Sequence, residues 1–179
     1  FTRSDYLNKV AQIIERDKEK LAKIISLETG KNYNESIAEV NEALHMAQFA
    51  FGSGRYSHGE AVSSEIAEKD AYMLRKPKGV IAIVTPFNFP LAIGMFWNAA
   101  PAIVEGNTIV IKPSEDAPMS TQMAVEIYEE AGLPHGVVNL VHGGGDTGDS
   151  LVRADIDHIC FTGSADVGQH IRKVAAESW

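Results

Sequence analysis

Apolar positions recur along the first thirty residues at a spacing near 3.6, with Leu7, Val10, Ile14, Leu21, Ile24 and Ile25 forming one stripe that closes at Gly30. Ser4 stands where a helix cap is expected, and the charged run at 15–20 reads as a solvated face and a break into two helices. A second helical stripe starts at about Asn34 and passes through Ile37, Val40, Leu44, Ala47 and Phe51 before Gly52 and Gly54 end it. Residues 55–79 lose this period. They are polar at first and then alternate over 71–75 ahead of Pro77 and Gly79, as a hairpin arm does and a core segment does not.

From residue 80 onward the pattern becomes regular. Short apolar, β-rich runs at 80–84, 108–111, 137–141 and 156–161 are separated by single helical stretches at 91–104, 120–131 and 146–153. Strands joined through helices need crossover connections, so the expected fold is α/β: a doubly wound parallel sheet with helices on both faces. The expected division is an N-terminal helical part at 1–54, an arm at 55–79 and an α/β core at 80–179.

Composition narrows the partners. The 179 residues are 45% apolar and 22% charged, an ordinary globular balance, with a formal charge of −8 and no basic run. Nucleic acid and an anionic membrane surface are therefore disfavoured. No apolar run approaches the roughly 20 residues that span a bilayer, and no signal-type N-terminus is present. A single cysteine, Cys160, forms no internal disulfide, which favours a reducing, cytoplasmic setting. The chain opens on Phe1 without an initiator Met and reaches Trp179 within a helical pattern, so both ends are expected to be cuts.

In a parallel sheet, ligands bind beyond the carboxyl ends of the strands, so the residues that follow each strand are the candidate site. After the first strand come Thr85, Pro86, Phe87, Asn88, Phe89 and Pro90, a proline-stiffened loop presenting one neutral amide. Asn88 reads either as a helix cap or as a hydrogen-bond donor to a developing oxyanion. The second strand runs into Lys112, Pro113, Ser114 and Glu115, which read as a surface ion pair or as a ribose clamp. Glu115 would repel a 2′-phosphate, favouring NAD over NADP, although Lys112 could tolerate either. Gly143, Gly144, Gly145 and Gly148 follow the third strand, serving the turn or admitting an adenine ring. The fourth ends in Phe161, Thr162, Gly163 and Ser164, with Gly168 one turn on; Ser164 is a cap, or the edge of a pyrophosphate site at a helix N-terminus. Cys160, inside that last strand, reads as a small buried and inert thiol. The six histidines are scattered without metal-ligand spacing, and no metal is expected. The first turn lacks G-x-G-x-x-G, which points away from an ordinary alcohol dehydrogenase.

Taken together, TPFNFP, GNTIVIKPSE and FTGSADVG, in that order and spacing, resemble the aldehyde dehydrogenase superfamily, and Leu-Glu-Thr-Gly-Lys at the end of the first helical region fits its N-terminal segment. The resemblance implies a modified Rossmann-type cofactor domain binding NAD, with NADP as the alternative, together with N-terminal helices and part of an oligomerisation arm at 55–79. It implies that Asn88 supplies the side-chain half of an oxyanion hole. Thr85, Pro86 and Phe87 would then line the nicotinamide side, Lys112 and Glu115 the adenosine ribose, Gly145 and Gly148 the adenine, and Ser164 with Val167 the pyrophosphate. Ser114, Phe161 and Gly163 join the same cofactor-binding set.

The implied reaction is cysteine attack on an aldehyde, hydride transfer from the thiohemiacetal to the nicotinamide, and release of the acyl group as the acid by transfer to water activated by a glutamate. Neither that cysteine nor that glutamate lies in this chain, so the chain alone is expected to be inactive. The parent is expected to be a homodimer or homotetramer acting on a small aldehyde. Two other readings stand beside this one: a non-catalytic nucleotide-binding module, and a CoA-acylating relative.

Overall fold

The computed structural model describes residues 2–56 and 58–177; Phe1, Ser57, Ser178 and Trp179 lie outside them, and with them the helical setting expected for Trp179. The charged run does break the first stripe, giving α1 (Thr2–Arg16) and α2 (Lys18–Thr29) on either side of Asp17. Gly30, at φ +73°, closes α2 by donating its N–H to the Ser26 carbonyl at 3.0 Å, a left-handed turn that glycine adopts without steric cost. Ser4 is not the cap the sequence suggested. The helix already includes Thr2, so Ser4 lies within it, buried against the backbone of Gly54, where an added Cβ would come 2.1 Å from its Oγ.

The second stripe is α3 (Tyr33–Ser53), opened by Asn32, whose side-chain oxygen accepts from Asn34 N–H at 2.9 Å. Its inner face is built from Val40, Ala43, Ala47 and Ala50, all fully buried, and these mostly small residues let Leu7, Val10 and Ile14 of α1 pack closely. Each of those large side chains contributes about 1.5–3 kcal/mol by leaving water. After α3, β1 (Gly59–Val62) pairs antiparallel with β2 (Ala71–Leu74), leaving Val62, Tyr72, Met73 and Leu74 exposed.

The core sheet holds β3 (Val80–Val84), β4 (Thr108–Lys112), β5 (Val138–Leu140) and β6 (His158–Phe161) in the order β5-β4-β3-β6, all parallel. Alternation along the strands divides two cores. Ile81, Ile83, Ile109 and Ile111 join the large core with the N-terminal helices, while Ile159 and Phe161 pack on a smaller cluster of Val152, Ile171 and Val174 from α6 (Gly145–Val152) and α7 (Ala165–Glu177).

The stretch expected as one helix at 91–104 is instead a π-helical segment, Ile93–Ala99, running into α4 (Ala100–Val104). Extra donors accompany the wider turn: Tyr128 Oη–H donates to the Met95 carbonyl at 2.7 Å, and Asn98 Nδ2–H to that of Ile93 at 2.8 Å. Gly94 lets this segment press against the sheet, since a Cβ there would lie 2.5 Å from Ile111 Cδ1 and 2.9 Å from Thr85 Cγ2.

One contact between helices was not legible beforehand. Glu28 of α2 accepts from the backbone N–H of Met119 and, at 3.0 Å, of Ser120, and takes the Ser120 hydroxyl at 2.5 Å. It thereby caps α5 (Pro118–Glu130), whose own N-cap, Ala117, offers no side-chain acceptor. Glu28→Ala is expected to destabilise the protein by about 1 kcal/mol, read as a lower urea midpoint at unchanged slope, and an unchanged midpoint would mean that water replaces the cap at no cost.

Candidate functional site

Parallel register brings the carboxyl ends of three strands into one rank. Val84 of β3 pairs with Lys112 of β4 on one side and with Phe161 of β6 on the other. Two further backbone bonds extend the rank past the strands, from Thr85 N–H to the Lys112 carbonyl at 3.3 Å and from Thr162 N–H to the Val84 carbonyl at 3.1 Å. The loops that leave these strands are therefore held side by side.

Between them lies a cleft of about 600 Å³. Its walls include Thr85, Pro86 and Phe87 after β3; Lys112, Ser114 and Glu115 after β4; Gly145 and Gly148 on α6; and Phe161, Gly163, Ser164 and Val167 from the end of β6 into α7. All twelve residues nominated for cofactor contact thus share one surface. Asn88 is not among the lining residues. It stands on the exposed loop just past Phe87, and it caps no helix, because the π-helical segment begins only at Ile93 behind Ala92.

The contacts sort the earlier alternatives. Lys112 is buried apart from its approach to the cleft, with Nζ 3.6 Å from Glu115 Oε2, so the pair is half sheltered and not a surface pair. The Lys112 stem passes 3.5 Å from the position of a Cβ on Gly148, and Glu115 Oε1 3.4 Å from one on Gly144, which ties the glycine loop to the Lys112–Glu115 pair. Beyond Gly145 no atom stands within 4 Å of such a Cβ, leaving that backbone open. Ser164 does cap α7, its Oγ accepting from Val167 N–H at 3.4 Å. Thr85 Oγ1 is buried in the cleft wall with no hydrogen-bond partner, an uncommon state for a hydroxyl.

The residue-by-residue reading missed Asp149, Asp166 and His170, which also line the cleft. Helical periodicity could have found them: Asp149 lies one turn past Gly145, and Asp166 and His170 are one turn apart on α7. Asp149 accepts from Arg153 Nε–H at 2.7 Å and pairs with His170 Nε2 at 2.6 Å, and Arg153, then His170, hold its carboxyl below the ordinary range. With Glu115, the cleft thus carries three carboxylates against the one ammonium of Lys112.

Cys160 does not face this cleft. It sits on β6, packed on the large core but only half-buried where a buried thiol was expected, because β6 has a strand neighbour on one side only among the described residues. Among the described residues no group of three or more His, Cys, Asp or Glu is placed to hold a metal, and no helix is long and apolar enough to cross a membrane.

Comparison with known proteins agrees with this geometry. A model of the aldehyde dehydrogenase family matches residues 1–179. The chain is 43% identical over 170 residues to a betaine aldehyde dehydrogenase of Bacillus subtilis (strain 168), covering 94% of this chain and 34% of that protein. It is 38% identical over 167 residues to a malonate-semialdehyde dehydrogenase of Bacillus velezensis, covering 93% and 34%. The chain thus spans about a third of the length of these curated relatives. Among solved structures, an NAD-dependent aldehyde dehydrogenase from Sinorhizobium meliloti superposes with a TM-score of 0.94 at 35% identity, covering 99% of this chain and 36% of that one. A betaine aldehyde dehydrogenase from Staphylococcus aureus in complex with NAD+ gives 0.94 at 33% identity, covering 98% and 35%.

Burial pushes the Cys160 thiol above the ordinary cysteine range, so little thiolate is present at neutral pH. Alkylation by iodoacetamide at pH 7 should therefore run slower than for a free cysteine and accelerate only well into alkaline solution; a fast reaction at pH 7 would show an activated thiol.

Proposed function

The chain belongs to the aldehyde dehydrogenase family, and we propose that within a longer enzyme it binds NAD+ and supplies one donor of the oxyanion hole for aldehyde oxidation. The observation that carries this reading is the convergence of all twelve nominated residues on one cleft at the carboxyl edge of the sheet. The fit to a dinucleotide rests on further features of that cleft. Open backbone at Gly145 admits a flat ring, and the capped N-terminus of α7 favours a phosphate.

Lys112 and Glu115 are assigned to the adenosine ribose, the ammonium donating to a hydroxyl and the carboxylate accepting from one or two. The carboxylates of Glu115, Asp149 and Asp166 make the cleft a poor host for an additional 2′-phosphate, which favours NAD+ over NADP+. When bound, NAD+ supplies the hydride acceptor. Asn88 is assigned to the chemistry itself: its exposed amide donates a hydrogen bond to the carbonyl oxygen as negative charge builds there, without titrating. The attacking cysteine thiolate and the glutamate that activates water are assigned to other parts of the enzyme, as is most of the aldehyde pocket.

The remaining organisation follows the same reading, with residues 1–54 supporting the cofactor core at 80–179. Residues 55–79 act as an oligomerisation arm, since β1 and β2 leave Val62, Tyr72, Met73 and Leu74 exposed with little packing of their own.

Calorimetric titration tests the cofactor assignment. NAD+ should bind more tightly than NADP+, and Glu115→Ala should weaken NAD+ by roughly 10–100-fold, the loss of hydrogen bonds to a charged group; an unchanged affinity would remove Glu115 from the ribose. In the full-length enzyme Asn88→Ala should lower kcat by about 10²–10³-fold with little change in NAD+ affinity. Equal losses in kcat and cofactor affinity would instead assign Asn88 to cofactor binding.

A further inference from the structure

Glu39, 1% exposed on α3, is the only buried carboxylate among the described residues. Its neighbours along the same helix face are Val40, Ala43 and Ala47, where packing alone would favour an apolar side chain. An ionised carboxylate taken this far from water is costly unless its oxygens are engaged. Both are. Oε1 accepts from the backbone N–H of Leu91 at 2.9 Å and of Ala92 at 3.2 Å, and Oε2 lies 2.6 Å from Lys31 Nζ.

The chain of contacts continues to the Asn88 loop. The Lys31 ammonium stands 3.8 Å from the centroid of the Phe89 ring, which stacks on Trp97. Thr121 Oγ1–H donates to the Pro90 carbonyl at 2.8 Å. Phe89, Pro90, Leu91 and Ala92 are therefore each fixed by a contact, and Asn88 is the next residue back along the chain. Leu91 and Ala92 are also the two residues ahead of the π-helical segment, where backbone N–H groups are left over and a carboxylate is best placed to take them.

We propose that Glu39 is a positioning residue. Anchored by Lys31, it holds the 89–92 backbone so that the exposed amide of Asn88 meets the developing oxyanion at a fixed point. This inference rests on the oxyanion role proposed above for Asn88. It assigns a catalytic consequence to a side chain buried beneath the loop, away from substrate and cofactor.

The test uses the full-length enzyme and a double-mutant cycle between Glu39→Gln and Asn88→Ala. Glu39→Gln keeps the size and one acceptor but removes the ion pair; a Lys31→Met/Glu39→Gln variant, which leaves no unpaired ammonium, carries the same comparison should the single variant fail to fold. Loosening the loop is expected to lower kcat roughly 10–100-fold with NAD+ affinity unchanged. In the Asn88→Ala background the same substitution should cost less than about twofold more, because the group it positions is gone. Amide hydrogen exchange at Leu91 and Ala92 should quicken selectively.

An unchanged kcat, or an undiminished loss in the Asn88→Ala background, would overturn the positioning role and leave Glu39 a packing residue. If Asn88→Ala is itself without effect on kcat, the oxyanion reading falls together with the catalytic consequence drawn from it. Exchange at Leu91 and Ala92 then still decides whether Glu39 clamps the loop, and unchanged exchange there would overturn the clamp.

Discussion

Val84, Lys112 and Phe161 stand side by side at the carboxyl ends of three parallel strands, and the rest of the cleft depends on that register. Because the side-chain period of a strand is two, a slip of one residue in β4 would turn Lys112 into the opposite core and carry Glu115 away from the glycine loop. A slip in β6 would exchange Phe161 with Cys160, setting a thiol against the small cluster and a phenyl ring against the large one. The pairing is held by the difference between the two faces: branched aliphatics of β3 and β4 on the large core, and Ile159 with Phe161 on the smaller.

Sequence pattern carried the architecture because each element has one period over its whole length. The stripes through Leu7, Val10 and Ile14 and through Val40, Leu44 and Ala47 resolve into α1 and α3, and the four apolar runs into four parallel strands. The misreadings lie where tertiary contacts outweigh local preference. Ser4 has the chemistry of a cap, yet the helix extends past it because the hydroxyl is small enough to sit against Gly54. The segment at 93–99 has ordinary helical composition, and its π geometry accompanies a donor 33 residues away, the Tyr128 hydroxyl.

The candidate site shows the same division. Glycines, prolines and charged residues directly after strands were legible, because position after a strand is itself informative in a parallel sheet. The pairing of Asp149 with His170 was not, since it needs two helices to lie side by side, and neither was the role of Glu39, whose partners are 8, 52 and 53 residues away. A carboxylate in an apolar stripe looks like an irregularity until the backbone donors it serves are in view. The structure thus has two tiers: loops set by strand register, and beneath one of them a buried carboxylate, paired with a partly exposed lysine, that limits its freedom.

The division of labour that results is electrostatic. In the proposed cofactor reading, Lys112 and the α7 N-terminus offer positive potential to an anionic ligand, while Glu115, Asp149 and Asp166 restrict how much negative charge it carries. A crystal structure of the protein with NAD+ is the most direct test of the cofactor assignment. The nicotinamide is predicted against Thr85 and Phe87, the ribose hydroxyls on Lys112 and Glu115, and the adenine beside Gly145. NAD+ found outside this cleft, or a cleft left empty at saturating NAD+, would contradict it.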